Sequence, residues 1–370
     1  MNNQFAITSV PSKLTYCTVC MNRLNHLRET LPINLQNNER FKNVQFLVLD
    51  YNSSDGLESW IKDTLSRYVE GGRLIYYKNP EPELFDRSHS KNMAAKLAEA
   101  EIVCNVDSDN IVLTEYTEFV LEKFRVNNNI FITADSGRLY HVSDLVGRIC
   151  CLKKDFVNVG GYDESLSGYG FEDNDIIARL TRLGREQVIV ENVNLLSSIK
   201  HDNNDRIKNE KVYRKLHSIY LLNLDNGIIK FIVLLNDYTF EYGTVIPSKY
   251  KLPGTPGVDF SLEESGQGTW ENSEGVDVVM NESKGMHMKM SLEDEKTFSF
   301  RLIDDEKNEI FNKLSEQDDI DEAILMFMMV RNQEKYQQNN QLGAIEVNRD
   351  GFGNGLVYKN FEGLLPIYLS

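Results

Sequence analysis

The sequence predicts an α/β fold with a mostly parallel sheet in its first part, followed by a β-rich C-terminal region with one long helix. Three observations support this prediction. Apolar strand-like runs alternate with helical stretches over residues 14–225, which is typical of βαβ units with right-handed crossovers. The run at 102–106 leads into two acids, as strands of ligand-binding α/β sheets often do. From residue 226 onward, short strands are separated by turns.

The first part begins with a β-rich run at 14–20, after which leucines recur at helical spacing. Pro32 lies inside this helical stretch and should kink or divide it. The same strand-then-helix order repeats along the chain, with turn residues such as those at 52–56 between the elements. Strands are predicted at 14–20, 46–50, 73–77, 102–106, 130–134 and 148–152, and helices from about 24 and at 57–68, 87–100, 116–124 and 176–183.

The last part reads differently. An amphipathic helix is predicted around 212–220, and the region after it contains short β-rich runs and frequent glycines. A helix near residue 320 carries a methionine-rich apolar stripe that is most simply core packing. We therefore expect two domains, a larger α/β domain at 1–225 and an acidic accessory domain at 226–370. Strands are predicted in the second at 228–235, 238–245, 269–271, 276–280, 286–290 and 297–302.

The charge of the chain is unevenly distributed. Of the formal net charge of −16, residues 226–370 contribute −12, with 13 Lys and Arg against 25 Asp and Glu. Such a surface repels nucleic acid and anionic lipid, so nucleic-acid partners are not expected. The nearly balanced first part can still present basic groups to a phosphate.

The cysteines and the N-terminal sequence indicate in which cellular compartment the protein is expected. Five cysteines, at 17, 20, 104, 150 and 151, lie in strand-like runs, and the odd number fits reduced thiols. Cys17 and Cys20 could be half of a zinc site, but no second pair has ligand spacing, which favours strand packing. The N-terminus lacks the pattern of a secretory signal, and no apolar run reaches the roughly 20 residues that cross a bilayer. We expect a cytoplasmic protein without a transmembrane segment.

Asp107 and Asp109 form the motif on which the functional interpretation depends. An Asp-x-Asp after a strand turns both carboxylates the same way, toward the crevice at the end of a parallel sheet. Two hard oxygen donors suit Mg²⁺ or Mn²⁺ bound to a diphosphate. A strand-end Asx turn explains the same residues without any ligand.

A second motif occupies residues 168–175, where glycines, aromatic residues and acids are crowded ahead of a helix. Glycine allows close backbone approach, aromatic rings offer faces to a sugar, and acids at a helix N-terminus are stabilised as anions. An acidic helix cap with turn glycines is the alternative reading. A single histidine such as His201 is, taken alone, more often structural.

Together these motifs resemble the GT-A glycosyltransferases, within them the inverting β-1,4-galactosyltransferases and the related bacterial chondroitin-polymerase type domains. The resemblance covers about 18–209. It implies a GT-A (Rossmann-like) fold and transfer of a hexose or N-acetylhexosamine from a UDP-sugar to a hydroxyl of a carbohydrate acceptor. The motifs, in family order, are Met21-Asn22-Arg23-Leu24-Asn25-His26-Leu27, Phe85-Asp86-Arg87 with Asn92, Asp107-Ser108-Asp109, the loop from Gly168 to Ile176, and Lys200-His201.

The resemblance assigns roles by position. It implies Asp173 as the catalytic base with Glu172 as its nearest rival, and Asp109 and His201 as ligands of Mn²⁺ or Mg²⁺. Acceptor-binding residues would be Tyr169, Gly170, Phe171 and Asp175. The nucleotide-sugar site would comprise Thr18, Asn22, Arg23, Asp50, Phe85, Arg87, Lys91, Asn92 and Asp107.

The sequence also departs from the family pattern. Ser198 stands where the galactosyltransferases have a methionine ligand, which leaves the choice between Mn²⁺ and Mg²⁺ open. Tyr169 and Phe171 replace a tryptophan and a glycine in the acceptor loop, so the acceptor can differ from the family's N-acetylglucosamine. Tyr51 occupies a position that is often acidic in broader GT-A relatives, which leaves Asp50 as the uracil contact.

Other classes of function remain open from sequence. A nucleotidyltransferase shares the strand-end acids but does not require the loop at 168–175. A non-catalytic protein that binds sugar nucleotides or glycans would keep the aromatic loop without turnover, and the acidic C-terminal region alone could have a scaffolding role. The sugar, the acceptor and the oligomeric state do not follow from the sequence.

Overall fold

The computed structural model describes residues 13–134, 145–200, 203–247, 260–273, 277–281, 286–294, 299–304, 309–361 and 365–370. The described chain falls into two compact units. The first unit takes the described residues within Met1–Ser167, Glu172–His201 and Asn339–Ser370. The second takes those within Gly168–Phe171 and Asp202–Gln338.

A mostly parallel sheet forms the centre of the first unit and confirms the predicted α/β class. Its four central strands, in the order β3-β2-β1-β4, are all parallel, and antiparallel strands extend both sides. A small two-stranded sheet, β5-β9, lies apart from it. The strands are β1 Leu14–Cys20, β2 Val44–Tyr51, β3 Leu74–Asn79, β4 Ile102–Asn105, β5 Asn110–Val112, β6 Ile130–Ala134, β7 Cys150–Leu152, β8 Glu186–Val190 and β9 Leu196–Ser198.

The helices of the first unit bury apolar side chains on both faces of this sheet, in two separate clusters. The cluster under α1 contains the leucine stripe that the sequence predicts, for example Leu27 and Leu31. The helices are α1 Leu24–Asn37, α2 Leu57–Thr64, α3 Ser66–Glu70, α4 Arg87–Leu97, α5 Thr114–Val126, α6 Lys153–Asn158 and α7 Glu172–Arg182.

Of the two effects predicted for Pro32, division of the helix does not occur, because α1 runs through it from Leu24 to Asn37. Proline removes one backbone hydrogen bond. Buried leucines on both sides of the proline, together with buried polar side chains such as Asn34, anchor the helix against the sheet. Tertiary packing therefore outweighs the local cost of the proline.

The second unit is built mainly from antiparallel strands in ring order, with the last strand, β17, pairing back with the first, β10. The predicted β-rich character and the long helix are both confirmed. Ile324, Phe327 and Met328 of the helix are buried, as the predicted apolar stripe requires. The elements are α8 Asn203–Ile207, α9 Lys211–Lys215, β10 Leu216–Asn223, β11 Ile229–Leu235, β12 Thr239–Pro247, β13 Phe260–Ser273, β14 Asp277–Asn281, β15 Met286–Asp294, β16 Ser299–Asp304, β17 Glu309–Lys313 and α10 Gln317–Gln341.

The helix predicted around 212–220 is wrong beyond its first turn. Only Lys211–Lys215 is helical, and Leu216–Asn223 is strand β10, paired with β11 and β17. Ser218, Ile219 and Tyr220 are all buried. A strand buried on both faces has no alternation of polar and apolar residues, so its apolar positions can imitate helical spacing.

The last residues of the chain return to the first unit. Strand β18, Gly355–Lys359, pairs antiparallel with β3, and β19, Ile367–Leu369, pairs with β18. The expected division of the chain at 225/226 therefore differs from the observed one, in which the described residues from 339 onward belong to the first unit and those from 203 to 338 belong to the second.

The cysteines also differ from expectation. Cys104 and Cys150 face each other across the antiparallel pair β4 and β7, and the structure joins them as a disulfide. The prediction of five reduced thiols is therefore wrong for these two, which lie 46 residues apart in sequence and meet only through strand pairing. Cys17, Cys20 and Cys151 are buried free thiols, in line with the strand-packing reading of the Cys-x-x-Cys pair.

None of the helices in the described part of the chain is both long enough and apolar enough to cross a lipid bilayer.

Candidate active site

Acidic and basic residues from four segments of the first unit meet beyond the end of strand β4. Asp107 and Asp109 follow β4 directly. Asp173 belongs to the first turn of α7. A Cβ atom placed on Gly147 would lie 3.0 Å from Oδ2 of Asp107 and 3.1 Å from Oδ2 of Asp173. The Asp-x-Asp motif and the candidate base therefore lie on either side of a residue that has no side chain.

Lys91 of helix α4 binds both candidate catalytic acids. Its Nζ donates to Oε1 of Glu172 and to Oδ1 of Asp173, each at 3.1 Å. Arg87, one turn earlier on α4, brings Nε to 3.7 Å from the same Glu172 oxygen. The Lys91 ammonium also lies 4.9 Å from the centre of the Tyr162 ring. This cluster is buried, and the Lys91 side chain is only 2% exposed.

The pKa values of Glu172 and Asp173 shift in opposite directions in this cluster. Burial alone would raise the pKa of Glu172, but the charges of Lys91 and Arg87 outweigh it and hold that pKa below its usual value. Burial raises the pKa of Asp173 to about 6; Lys91 opposes this shift, whereas the charges of Glu172 and Asp107 add to it. Burial disfavours the charge on Lys91, yet Asp173 and Glu172 raise its pKa well above the usual value. Asp173 thus has the pKa of a group that exchanges protons near neutral pH.

The backbone around Asp109 is held by a polar row on helix α1. Thr30 donates from Oγ1 to the carbonyl oxygen of Ser108 at 2.7 Å. Asn34, one turn later, donates to the carbonyl oxygen of Asn110 and accepts from the amide of Val112. These side chains satisfy backbone groups that would otherwise be buried without partners, and they fix the path of the acidic segment.

The acids at this edge fit a divalent cation. Asp109 is 3% exposed and Asp107 is partly exposed. No group of three His, Cys, Asp or Glu side chains that could hold a metal occurs among the described residues. Mg²⁺ in nucleotide sites commonly takes one or two carboxylates and completes its shell with phosphate oxygens and water, and two carboxylates suffice for that mode. The predicted ligand His201 lies outside the described residues.

Two of the predicted donor-binding arginines lie near these acids. Burial lowers the pKa of Arg23, as does the neighbouring charge of Arg87, whereas Asp109 and Asp107 raise it. The Arg87 guanidinium lies 5.4 Å from the centre of the Phe85 ring. The predicted residues Arg23, Arg87, Phe85 and Lys91 therefore flank the Asp-x-Asp segment or the acids of α7.

Thr18 and Asn22 lie at the end of strand β1 and just after it. Thr18 is buried in β1. Asn22 has a left-handed backbone with φ of 55°. Its Oδ1 accepts from the amide of Ser54 at 2.7 Å, which ties the β1 loop to the loop after β2.

Three predicted site residues have polar atoms that other parts of the protein already occupy. Asn92 is fully buried, and its amide binds the backbone of Tyr162 through both its oxygen and its nitrogen. The Asp50 carboxylate accepts from the Tyr76 hydroxyl at 2.6 Å and from the amide of Ser53, and burial raises its pKa.

Asp175 is 1% exposed and is ion-paired with Arg179 of the next turn, with Asn339 as a further donor. Through these contacts, Asn92, Asp50 and Asp175 stabilise the first unit.

The predicted acceptor residues Tyr169, Gly170 and Phe171 belong to the second unit, where helix α10 covers them. Asn332 of α10 donates to the Gly170 carbonyl oxygen at 2.9 Å. Phe171 is 4% exposed and packs beside Tyr336, with ring centres 5.7 Å apart. The buried Phe171 ring offers no open face to a sugar.

Gly147, Arg148 and Tyr162 line this region without having been predicted. Gly147 and Arg148 precede the apolar run that becomes β7, and a glycine and a single charge before a strand carry no sequence signal. The polar row on α1 was detectable as Thr30 and Asn34 at four-residue spacing, beside the leucine stripe. Its meaning depends on knowing that this flank of the helix is also covered.

Comparison with known proteins gives two family matches. Residues 15–139 match the glycosyl transferase family 2 model, and residues 130–202 match a model described as the N-terminal domain of galactosyltransferase. No curated protein sequence matches the chain.

Solved structures to which the chain is similar include the mannosyltransferase PcManGT from Pyrobaculum calidifontis in complex with GDP-Man and Mn²⁺. It is 16% identical, with a TM-score of 0.41, and the alignment covers 50% of this chain and 56% of that one. Another is S. aureus TarS 1-349 in complex with UDP-GlcNAc, which is 14% identical with a TM-score of 0.41. That alignment covers 51% of this chain and 59% of TarS 1-349, so this chain spans little more than half the length of either.

The two family matches overlap at residues 130–139, and together they contain the Asp-x-Asp segment, Lys91 and the acids of α7. Residues 15–202 therefore belong to the family 2-like glycosyltransferases of the GT-A fold.

Proposed function

We propose that the protein is a metal-dependent inverting glycosyltransferase that moves a hexose or N-acetylhexosamine from a UDP-sugar to a hydroxyl of a carbohydrate acceptor. The observation that supports this proposal is the meeting of Asp107 and Asp173 around Gly147, because a motif that we propose to bind metal then lies beside a carboxylate with a pKa of about 6. Inverting transfer needs both, one at the leaving diphosphate and one at the incoming hydroxyl.

Asp173 would act as the general base. Its carboxylate removes the proton of the acceptor hydroxyl while that oxygen bonds to the anomeric carbon and the bond from this carbon to the diphosphate breaks. The pKa of about 6 keeps most of the group ionised at neutral pH, yet leaves it basic enough to accept a proton. Glu172, with its lowered pKa and its contacts to Lys91 and Arg87, stays ionised and orients Lys91.

The donor would lie against the basic side chains and the acids after β4. Arg23 and Arg87 can meet phosphate or uridine groups, since guanidinium is suited to bidentate contact. Asp109, with His201, would hold Mn²⁺ or Mg²⁺, which when bound neutralises charge on the departing diphosphate. Lys91 is better placed for Glu172 and Asp173 than for a phosphate, since its ammonium contacts both carboxylates at 3.1 Å.

The direct test is turnover of a UDP-sugar panel by the purified full chain, with Mn²⁺ or Mg²⁺ and a mixture of saccharide acceptors. We expect UDP release with one or two of the sugars, formation of a product of inverted anomeric configuration by NMR, and loss of both in excess chelator. Full activity in chelator would refute the metal requirement. Tight UDP-sugar binding without turnover on any acceptor would instead favour a binding protein, and nucleotide transfer from NTP to a sugar phosphate would favour a nucleotidyltransferase.

A further inference from the structure

Arg148 is a buried arginine to which the proposed reaction gives no role. Its side chain is 1% exposed. Its Nη2 donates to Oδ1 of Asn110 at 3.0 Å and to the carbonyl oxygens of Ile111 and Ser197 at 3.2 and 3.3 Å. The guanidinium also lies 5.0 Å from the centre of the Tyr116 ring. Burying a charge is costly unless it is paired or hydrogen-bonded, so such a residue is unlike ordinary core packing.

Asn110 connects this arginine to the Asp-x-Asp motif. Its Nδ2 donates to Oδ1 of Asp109 at 3.0 Å, while its Oδ1 accepts from Arg148. If the amide were flipped, its oxygen would face the carboxylate and its NH₂ group would face the guanidinium, and both contacts would be repulsive. Arg148 therefore fixes which way the Asn110 amide points, and Asn110 in turn holds one oxygen of Asp109.

The same arginine also fastens the paired strands β5 and β9, and β5 begins one residue after Asp109. Ile111 is on β5 and Ser197 is on β9, and the two residues are partners in the antiparallel pair. Arg148 binds the carbonyl oxygen of each with one nitrogen. Next to them, the amide of Ile199 donates to the carbonyl oxygen of Asp109 at 2.8 Å. The backbone and side chain of Asp109 are thus both tied to the structure around Arg148.

We propose that Arg148 and Asn110 are positioning residues that orient the Asp109 carboxylate for binding the divalent cation. This inference rests on the proposed function, because it takes Asp109 as a metal ligand. Carboxylates that bind metals are commonly hydrogen-bonded by outer residues, and removing such a partner typically weakens metal binding by about 10–100-fold. All three bonds come from the single nitrogen Nη2, and the rigid, planar guanidinium fixes where that nitrogen lies.

The test measures Mn²⁺ binding directly, from the electron paramagnetic resonance signal of free Mn²⁺, with the full chain and saturating UDP. Asn110→Ala should weaken Mn²⁺ binding by about 10–100-fold. Arg148→Lys keeps the charge but replaces the planar guanidinium by an ammonium on a flexible stem, so it should weaken Mn²⁺ binding as well. In the double variant the loss should be smaller than the product of the two single losses, because part of the effect of Arg148 passes through Asn110.

Asn38→Ala is the matched control. Asn38 is as buried as Asn110 and donates to the Val112 carbonyl oxygen at 3.1 Å, but the bonds of its side chain go to neighbours other than Asp109. It should lower the melting temperature without weakening Mn²⁺ binding.

Wild-type Mn²⁺ affinity in both Asn110→Ala and Arg148→Lys would overturn the inference, and so would an equal loss in Asn38→Ala. If the wild-type chain itself transfers sugar without binding Mn²⁺ or Mg²⁺, the metal step of the proposed function fails and this inference falls with it.

Discussion

At the scale of single residues, the central feature of the site is the Lys91 ammonium, which contacts the carboxylates of both Glu172 and Asp173. Lys91 contacts Glu172 and Asp173 at equal distance, yet the pKa of Glu172 is lowered and that of Asp173 is raised. The difference arises because Arg87 adds a second positive charge beside Glu172, whereas Asp173 has the negative charge of Asp107 nearby. Two acids with pKa values pushed apart in this way can take different roles.

Removing the basicity of Asp173 provides the most direct test of its role. Asp173→Asn keeps the size of the side chain but cannot take a proton, so turnover should fall by about 10²–10⁴-fold. UDP-sugar affinity should barely change, because the proposed donor contacts lie on other residues. Both quantities follow from steady-state kinetics and calorimetric titration with the donor. Glu172→Gln is the matched variant, and if it abolishes turnover while Asp173→Asn is nearly wild type, the two roles must be exchanged.

The pH profile tests the electrostatics of the same pair. A base must be ionised to act, so kcat/KM should rise with pH through about 6, where Asp173 loses its proton. Glu172→Gln removes a negative neighbour, which lowers the pKa of Asp173 and should move the rising limb to lower pH. Lys91→Met removes a positive neighbour and should move the limb to higher pH. Shifts of the same sign in both variants would show that the limb belongs to another group.

At the scale of secondary-structure elements, local pattern was sufficient for much of the first unit. Strands β1 to β4 and the helices between them follow from apolar runs and turn residues, because each element is specified by its own short segment. Strand β10 was mistaken for helix because its pairing partners, not its own residues, decide its conformation. The pairing of β18 with β3 could not be predicted either, since its partner lies about 280 residues earlier in the chain.

In the candidate site, too, short motifs could be predicted from sequence, whereas contacts between distant segments could not. The motifs at Asp107 and Asp109 and at Glu172 and Asp173 were visible as short residue patterns. The contacts of Lys91 with both acids, or of Arg148 with Asn110, join separate segments and become apparent only in three dimensions. Side chains with a predicted binding role, such as that of Asn92, proved to be bound to backbone, which a linear motif does not reveal.

The C-terminal strands give a prediction at this scale. A chain ending at residue 341 lacks β18 and β19 and the contacts of Asn348, which donates to the carbonyl oxygens of Gly160 and Tyr162. We expect its melting temperature to fall by several degrees, because the loss of a few kcal/mol has this effect in a chain of this size. A chain ending at residue 361 keeps β18 and should lose much less. Equal stability of the two, measured by differential scanning calorimetry, would contradict the role given to β18.

At the scale of the whole molecule, the first unit is formed by segments that are not contiguous in the sequence. The second unit interrupts the first in sequence, because the chain leaves the first unit after His201 and returns to it at Asn339. A fragment ending near Asp225 would therefore carry every predicted catalytic residue and still lack part of the first unit. Such a fragment lacks strands β18 and β19, so its failure to bind UDP would not by itself move the proposed donor site out of residues 1–225.

Ligand binding by the intact protein can be measured as a change in its thermal stability. If the donor and metal bind only the folded state, a UDP-sugar at 100 times its dissociation constant stabilises the protein by about 2.7 kcal/mol. Thermal unfolding should then move to higher temperature with the correct UDP-sugar and Mn²⁺ or Mg²⁺ together. The same sugar with chelator is the control, and an equal shift in both would argue against a metal in the donor complex.

The pairing of β18 with β3 can form only late in synthesis, because β18 lies near the C-terminal end of the sequence. Ribosomes add about 5–20 residues per second, so roughly 10–30 s pass between the completion of β9 and the appearance of β18. During that interval, the exposed edge of β3 has no partner strand, and unpaired edges can join other chains. The nascent protein therefore depends, for the whole time in which its second unit is being made, on whatever keeps that edge from aggregating.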